Sequence, residues 1–233
     1  MTSVRALAGL ARAGLGLHGA LAIASYDALV PTPWRSAALA PRARSALVVG
    51  NAGRALFERF LASPERELPD DPLDAYTRRA LDEAAREFEP AAVVGFYADR
   101  REGLYLPLVA LARRAGFGTP GRIGVLIHPQ FGPWIAIRAV LLVHERLEEA
   151  RPAAFDPCSG CPAPCASACV GAAVGAGRFD AEKCYETRLG DPACALACAA
   201  RSACVVGPEH SYSAAQLAHH MTIRDGKRRS RAQ

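Results

Sequence analysis

Cysteine is missing from everything before Cys158 and after Cys204 in this 233-residue chain. A cysteine-free stretch of that length can bury a core of its own, so a small disulfide-stapled secreted scaffold is excluded for most of the molecule. Aromatic residues are few, at 7%, and no uninterrupted apolar run is long enough to cross a bilayer. A twin-arginine signal is also absent. The first residues carry an early arginine and an Ala22-Ile23-Ala24 stretch that resembles a cleavage site, but Arg12 and His18 interrupt the apolar core a secretory signal needs. The expectation is a cytoplasmic protein with no membrane segment, in a reducing compartment that suits thiolate ligands. Strong charge of one sign is lacking too. The net +5 is modest, and part of it sits in the tail at 226–233, GKRRSRAQ, which reads as a solvated, disordered end.

The eight cysteines fall in about one fifth of the chain. Cys158, Cys161, Cys165 and Cys169 are separated by gaps of two, three and three residues. Cys184, Cys194, Cys198 and Cys204 follow, the last two gaps being three and five. Two groups of four thiols are the arithmetic of two cubane iron–sulfur clusters, in which three closely spaced thiolates wrap one corner and a fourth cysteine reaches across to the other cluster. The run is looser than the bacterial ferredoxin form, and Val170 stands where that form has proline. Structural zinc is the competing reading. It commonly uses two CxxC pairs, and only Cys158–Cys161 has that form.

Elsewhere the pattern alternates helix and strand. Residues 2–16 repeat apolar positions at helical spacing, and 19–24 and 45–50 read as strands. The GNAG turn at 50–53 lacks the third glycine of a dinucleotide fingerprint and is a plain strand-to-helix turn into a helix at 54–61. Asp71 reads as a helix cap before Pro72, and Leu73, Tyr76, Ala80, Leu81, Ala84 and Phe88 mark one helix face. A strand at 91–98 and a helix at 104–114, with Pro107 in its first turn, come next. Two apolar runs, 124–127 and 134–143, flank His128-Pro129-Gln130-Phe131-Gly132-Pro133 and read as a hairpin with a long turn. Arg138 lies inside the second run and needs a partner, either a carboxylate of the fold or an anionic ligand. From 151 the composition shifts to alanine, glycine, proline and cysteine, which places a domain boundary there. A helix at 213–220 ends in His219 and His220, which as helix neighbours cannot both face one ligand.

In that order the segments ARSALVVG, LARRAGFG, GVLIHPQFGPWIAIRAVLL and the cysteine runs resemble epoxyqueuosine reductase, the cobalamin- and iron–sulfur-dependent family of tRNA queuosine synthesis. Around His128 the chain is more similar to the cobalamin-processing family of the cblC type. The resemblance implies an α+β protein: a nitroreductase-like cobalamin-binding domain at 1–150 and a ferredoxin-like dicluster domain at 151–207. A helix packing back at 208–225 and the tail at 226–233 complete it. It implies a first 4Fe-4S cluster on Cys158, Cys161, Cys165 and Cys204, and a second on Cys169, Cys184, Cys194 and Cys198. Cobalamin contacts are implied at His128, Phe131, Gly132, Trp134 and Arg138. Glu102 stands at the offset of the reductases' catalytic aspartate; its other reading is a solvated charge in DRREG. The implied activity is electron delivery from an external low-potential donor, of ferredoxin or flavodoxin type, through two clusters to cobalamin. The substrate is then a corrinoid's upper ligand or a small organic molecule. The chain lacks the helical-repeat domain with which many of these reductases hold tRNA, which speaks against tRNA as substrate. The other class kept open is a non-catalytic electron-transfer protein or cobalamin carrier.

Overall fold

In the computed structural model the described residues are 2–152, 154–175 and 178–222. The basic tail at 226–233 lies outside them. Helices α1 (Thr2–Arg12), α2 (Ile23–Asp27), α3 (Ser36–Leu39), α4 (Ala55–Leu61), α5 (Pro72–Arg86) and α6 (Leu108–Arg114) are interspersed with strands β1 (Leu17–Ala22), β2 (Ser45–Ala52), β3 (Val93–Phe96), β4 (Arg100–Arg101) and β5 (Leu104–Tyr105). Strands β6 (Thr119–Pro120), β7 (Leu126–Ile127) and β8 (Ile135–Val143) follow. The rest is helical: α7 (Pro164–Ser167), α8 (Ala181–Gly190), α9 (Pro192–Leu196), α10 (Ala199–Ser202) and α11 (Ala214–Met221). The mixture is α+β, as expected. The chain divides into two units, one of Met1–Gly118 with Ile135–Ala154, the other of Thr119–Trp134 with Phe155–Gln233. Residues 119–134 therefore group with the cysteine-bearing part.

The first unit is built on an antiparallel sheet in the order β1-β2-β8-β3. β2 is apolar along most of its length and buried at all but its last residue, so both faces of the sheet must be covered. On one face Leu47, Val49, Leu141 and Val143 join a core with Leu10 of α1, Leu56 and Phe60 of α4, and Tyr76 and Leu81 of α5. On β3 a side chain added at Gly95 would meet Leu106 and Trp34, so these residues lie directly on the strand backbone. The face expected on α5 is buried throughout, and truncating Leu81 to Ala costs about 2–5 kcal/mol. Tyr76 ties α5 to the end of α1 by donating to the Ala13 carbonyl at 3.0 Å.

Several local expectations are corrected. Asp71 is the N-cap residue of α5 before Pro72, as expected, but its side chain makes no cap hydrogen bond. It adopts left-handed φ 39°, ψ 52°, and its carbonyl accepts from the N–H groups of Asp74 and Ala75 at 2.9 and 3.0 Å. The helix read from 104 begins at Leu108, because Leu104 and Tyr105 pair with Arg101 and Arg100. Glu102 (φ 50°) and Gly103 (φ 79°) form the turn between them; two positive φ values in succession match the twist of a tight hairpin. The strand read at 19–24 stops at Ala22, where Ile23 opens α2. The apolar runs 124–127 and 134–143 do not pair with each other. β7 pairs with β6, and β8 with β2 and β3. The loop between the runs closes on itself through reciprocal backbone bonds between His128 and Gly132, at 2.8 and 2.9 Å, and the antiparallel pairing stops at that one bridge.

The second unit has a small core of Ile123, Ile127, Val174 and Ala200. Phe155, Phe179, Val206 and the thiols of Cys165, Cys169, Cys198 and Cys204 pack against it. Its helices are short and capped individually. Asp180 accepts from the Lys183 N–H at 3.0 Å, Asp191 from the Cys194 N–H at 2.9 Å, and Ser213 from the Gln216 N–H at 3.2 Å. The helix expected at 213–220 is α11.

Candidate functional site

The thiols are positioned by turns and helix starts. Asp156 accepts from the N–H groups of Cys158 and Ser159 at 3.3 and 3.2 Å, which folds the CxxC segment into a turn. Ala163 at φ 56° starts α7, which carries Cys165. Cys184 lies on α8, Cys194 on α9, and Cys198 at the N-cap of α10. All eight are free and partly buried. Among the described residues no group of three or more His, Cys, Asp or Glu is arranged to hold a single metal ion.

Four of the thiols are pushed up, and the neighbours that add to the push fall into two sets. Burial pushes the Cys165 thiol up, and Cys204, Cys158 and Cys161 add to the push. Burial also raises Cys204, opposed by the Val206 N–H and reinforced by Cys158 and Cys161. Cys184 is raised by burial and then by Cys198, Cys194 and Cys169. Cys194 is raised by burial, Cys198, Asp191 and Cys169. No thiol of one set acts on the other in these four cases. Cys158, Cys161, Cys165 and Cys204 also line one pocket with Arg122, Ile127 and Val206, about 380 Å³ of space including the part open to solvent.

The loop at 128–134 sits in the same unit. The His128 and Phe131 rings are 4.8 Å apart, and Phe131 meets His210 edge-on at 4.8 Å. Burial, with His210 adding, lowers the His128 pKa, and Nδ1 accepts from the N–H groups of Gln130 and Phe131 at 3.1 and 3.2 Å. Gly132 and Gly207 both have positive φ, 55° and 61°, and their backbones lie on one another. A Cβ at Gly132 would run into the Val206 carbonyl, and one at Gly207 would come within 2.7 Å of Gln130 O and Phe131 C. Trp134 is 1% exposed. Arg201 covers its ring at 5.0 Å and that of Tyr212 at 4.6 Å, while bonding the Pro133 carbonyl. Arg201 and Tyr212 were not marked by the sequence, although Arg201 stands midway between Cys198 and Cys204.

Arg138 and Glu102 belong to the first unit. Glu102 is exposed at the hairpin turn. The hairpin is anchored by Trp34, whose Nε1 donates to the Leu104 carbonyl at 2.8 Å, and Arg101 lies over the Trp34 ring at 5.1 Å. Arg138 is 6% exposed. The register jumps between Val49↔Ala139 and Gly50↔Ile137, so Arg138 is the extra residue of a β-bulge, the device by which a strand re-aims a side chain. The partner that the fold supplies is not a carboxylate. Nε donates to the neutral side chain of Asn51 at 2.9 Å. One terminal guanidinium nitrogen and Asn51 Nδ2 are buried with no hydrogen-bond partner among the described residues. The signal for Asn51 was a polar residue in an otherwise apolar strand.

No protein-family model matches the chain, and no curated protein does. Solved structures do. The chain is similar to epoxyqueuosine reductase from Streptococcus thermophilus, at 16% identity and TM-score 0.51, with 81% of this chain and 58% of that one covered. It is similar to an epoxyqueuosine reductase solved with a modified tRNA-Tyr stem loop, at 14% identity and TM-score 0.59, with 93% and 68% covered. The C. elegans B12-trafficking protein CblC, a homologue of human MMACHC, matches at 15% identity and TM-score 0.56, with 95% and 91% covered. The chain thus spans little more than half of the first of these reductases and most of the trafficking protein. The α+β fold of this chain is the one that epoxyqueuosine reductases and the trafficking protein CblC share.

Proposed function

We propose that the chain is an iron–sulfur oxidoreductase with two 4Fe-4S clusters and a bound cobalamin. Cys158, Cys161, Cys165 and Cys204 hold one cluster; Cys169, Cys184, Cys194 and Cys198 hold the other. The chemistry is reductive: removal of a corrinoid's upper ligand or reduction of a small organic substrate, with electrons from an external donor of ferredoxin or flavodoxin type. The observation that carries this reading is the single pocket lined by Cys158, Cys161, Cys165 and Cys204, on a fold shared with cobalamin-linked proteins. The donor chemistry fits, since each set is all sulfur. The small apolar core of the second unit fits as well, because units poor in core depend on metal staples.

When bound, the clusters supply single-electron storage and the corrin a strongly reducing cobalt. The chain's own groups do the rest. The Ala173 and Arg201 N–H groups donate to the sulfurs of Cys169 and Cys198 at 3.3 and 3.4 Å, and such bonds favour thiolate and shape cluster potential. Gly132 lets the 128–132 loop brace the segment after Cys204. The Trp134 N–H donates to the Phe131 carbonyl at 3.1 Å, and His128 and Phe131 would meet the corrin. Within the first unit, Arg138 would keep its unpartnered nitrogen for a polar ligand group, and Glu102 would serve as a proton donor.

The test is elemental analysis of oxygen-free full-length protein, expected to give about eight iron and eight sulfide per chain. Cys204→Ser and Cys184→Ser are each expected to lose about half. Added cobalamin is expected to show a shifted corrin spectrum. Zinc in place of iron, or full iron in Cys204→Ser, would overturn the reading.

A further inference from the structure

The second thiol set has a charged neighbour to which the two-cluster reading gives no role. Arg188 stands on α8 four residues after Cys184, so the two side chains share a helix face. One of its terminal nitrogens donates to the Met221 carbonyl, at the end of α11 where helix carbonyls lack partners. Its Nε is buried with no hydrogen-bond partner among the described residues. A buried donor left in that state is costly. The helix that carries Cys194, α9, packs against both α8 and α11. The first set has a different arginine, Arg122, which donates to the Cys158 carbonyl at 3.4 Å.

We infer that Arg188 is a positioning residue that sets the reduction potential of the cluster held by Cys169, Cys184, Cys194 and Cys198, its Nε–H directed at that cluster's sulfur and its guanidinium held in place by the end of α11. The inference rests on the two-cluster reading. Each cluster gains one negative charge when it takes up one electron, so a fixed cation and an N–H donor beside it stabilise the reduced form and raise the potential. The C-terminal helix thereby contributes to the redox centre, because its last carbonyl pins the cation.

The experiment is a mediated redox titration of the anaerobic, iron-loaded full chain, followed by electron paramagnetic resonance. Arg188→Gln is expected to lower the midpoint of one cluster by about 59 mV or more, tenfold in that one-electron equilibrium, and to leave the other in place. Arg188→Lys, which keeps the charge, is expected to stay near the unsubstituted value. Unchanged midpoints in a fully loaded Arg188→Gln chain, or an equal fall of both, overturn the inference. Should Arg188→Gln hold only half its iron, loaded Arg188→Lys decides: a retained midpoint supports the inference and a lowered one overturns it. An unsubstituted chain without iron fails the two-cluster reading instead, which keeps the two apart.

Discussion

Replacing Gly132 with Ala separates two reasons a glycine can be needed. The residue has φ 55°, and an L-residue held in the left-handed region loses about 1–2 kcal/mol. Its Cβ would also lie 2.7 Å from the Val206 carbonyl carbon and nearer still to the oxygen. Relieving that overlap against backbone costs a further amount of about 1–3 kcal/mol. The total, about 2–5 kcal/mol, is a large share of the roughly 5–15 kcal/mol by which domains are stable. Gly160 is the matched control, with φ 68° and nothing within 4 Å of an added Cβ, so Gly160→Ala carries the conformational cost alone. The chain has two tryptophans, Trp34 in the first unit and Trp134 in the second. In a Trp34→Phe background, urea denaturation followed by fluorescence therefore reports on Trp134. Gly132→Ala is expected to unfold at clearly lower urea than Gly160→Ala and to bind less iron. Equal midpoints for the two would refute the packing argument and return Gly132 to a direct ligand-contact role.

Other perturbations read different parts of the molecule. Arg79 holds the Glu65 carboxyl down from 4.5 to about 2. Because the folded carboxyl is the more acidic, the pair's stability is present above pH 4.5 and lost as pH falls through 2. Arg79 is 45% exposed, which limits the effect to under about 1 kcal/mol. Glu65→Gln is expected to flatten the urea-stability curve across that window; a wild-type curve already flat there would contradict the assignment. Asn51→Leu removes the acceptor of a buried guanidinium and is expected to cost about 3 kcal/mol, with Arg138→Met in the same chain restoring more than half. No recovery in the double substitution would show that Arg138 has other support. Trp34→Phe deletes the bond to Leu104, worth about 0.5–1.5 kcal/mol. Amide exchange across residues 100–105 is expected to quicken by up to about tenfold, and unchanged exchange would mean that Trp34 does not hold the Glu102 hairpin.

Much of the first unit was legible in the sequence because its elements obey simple periods. β2 is an apolar run, and α5 repeats Leu73, Tyr76, Ala80, Leu81 and Ala84 on one face. What could not be read was pairing. The runs on either side of HPQFGP look like hairpin partners, but each finds its partner elsewhere, β7 in β6 and β8 in β2 and β3. Arg138 announced a need for a partner, but the bulge that aims it at Asn51 is a matter of register, which no local pattern carries. For the thiols, spacing along the chain gave two runs of four, and only the resemblance implied which cysteine of each run crosses to the other. Arg188 escaped notice although its i,i+4 relation to Cys184 was visible, because Met221, which fixes it, is distant in sequence.

The chain visits the second unit twice, first at 119–134 and again from 155 onward. Arg122, Ile123 and Ile127, which wall the pocket of Cys158, Cys161, Cys165 and Cys204, come from the first visit. A fragment starting near residue 151 would keep every sulfur yet forfeit the floor on which half of them rest. The thiol-bearing portion is thus not a detachable cassette: grafting it onto another scaffold requires carrying along a ribbon that, by sequence, sits inside its neighbour.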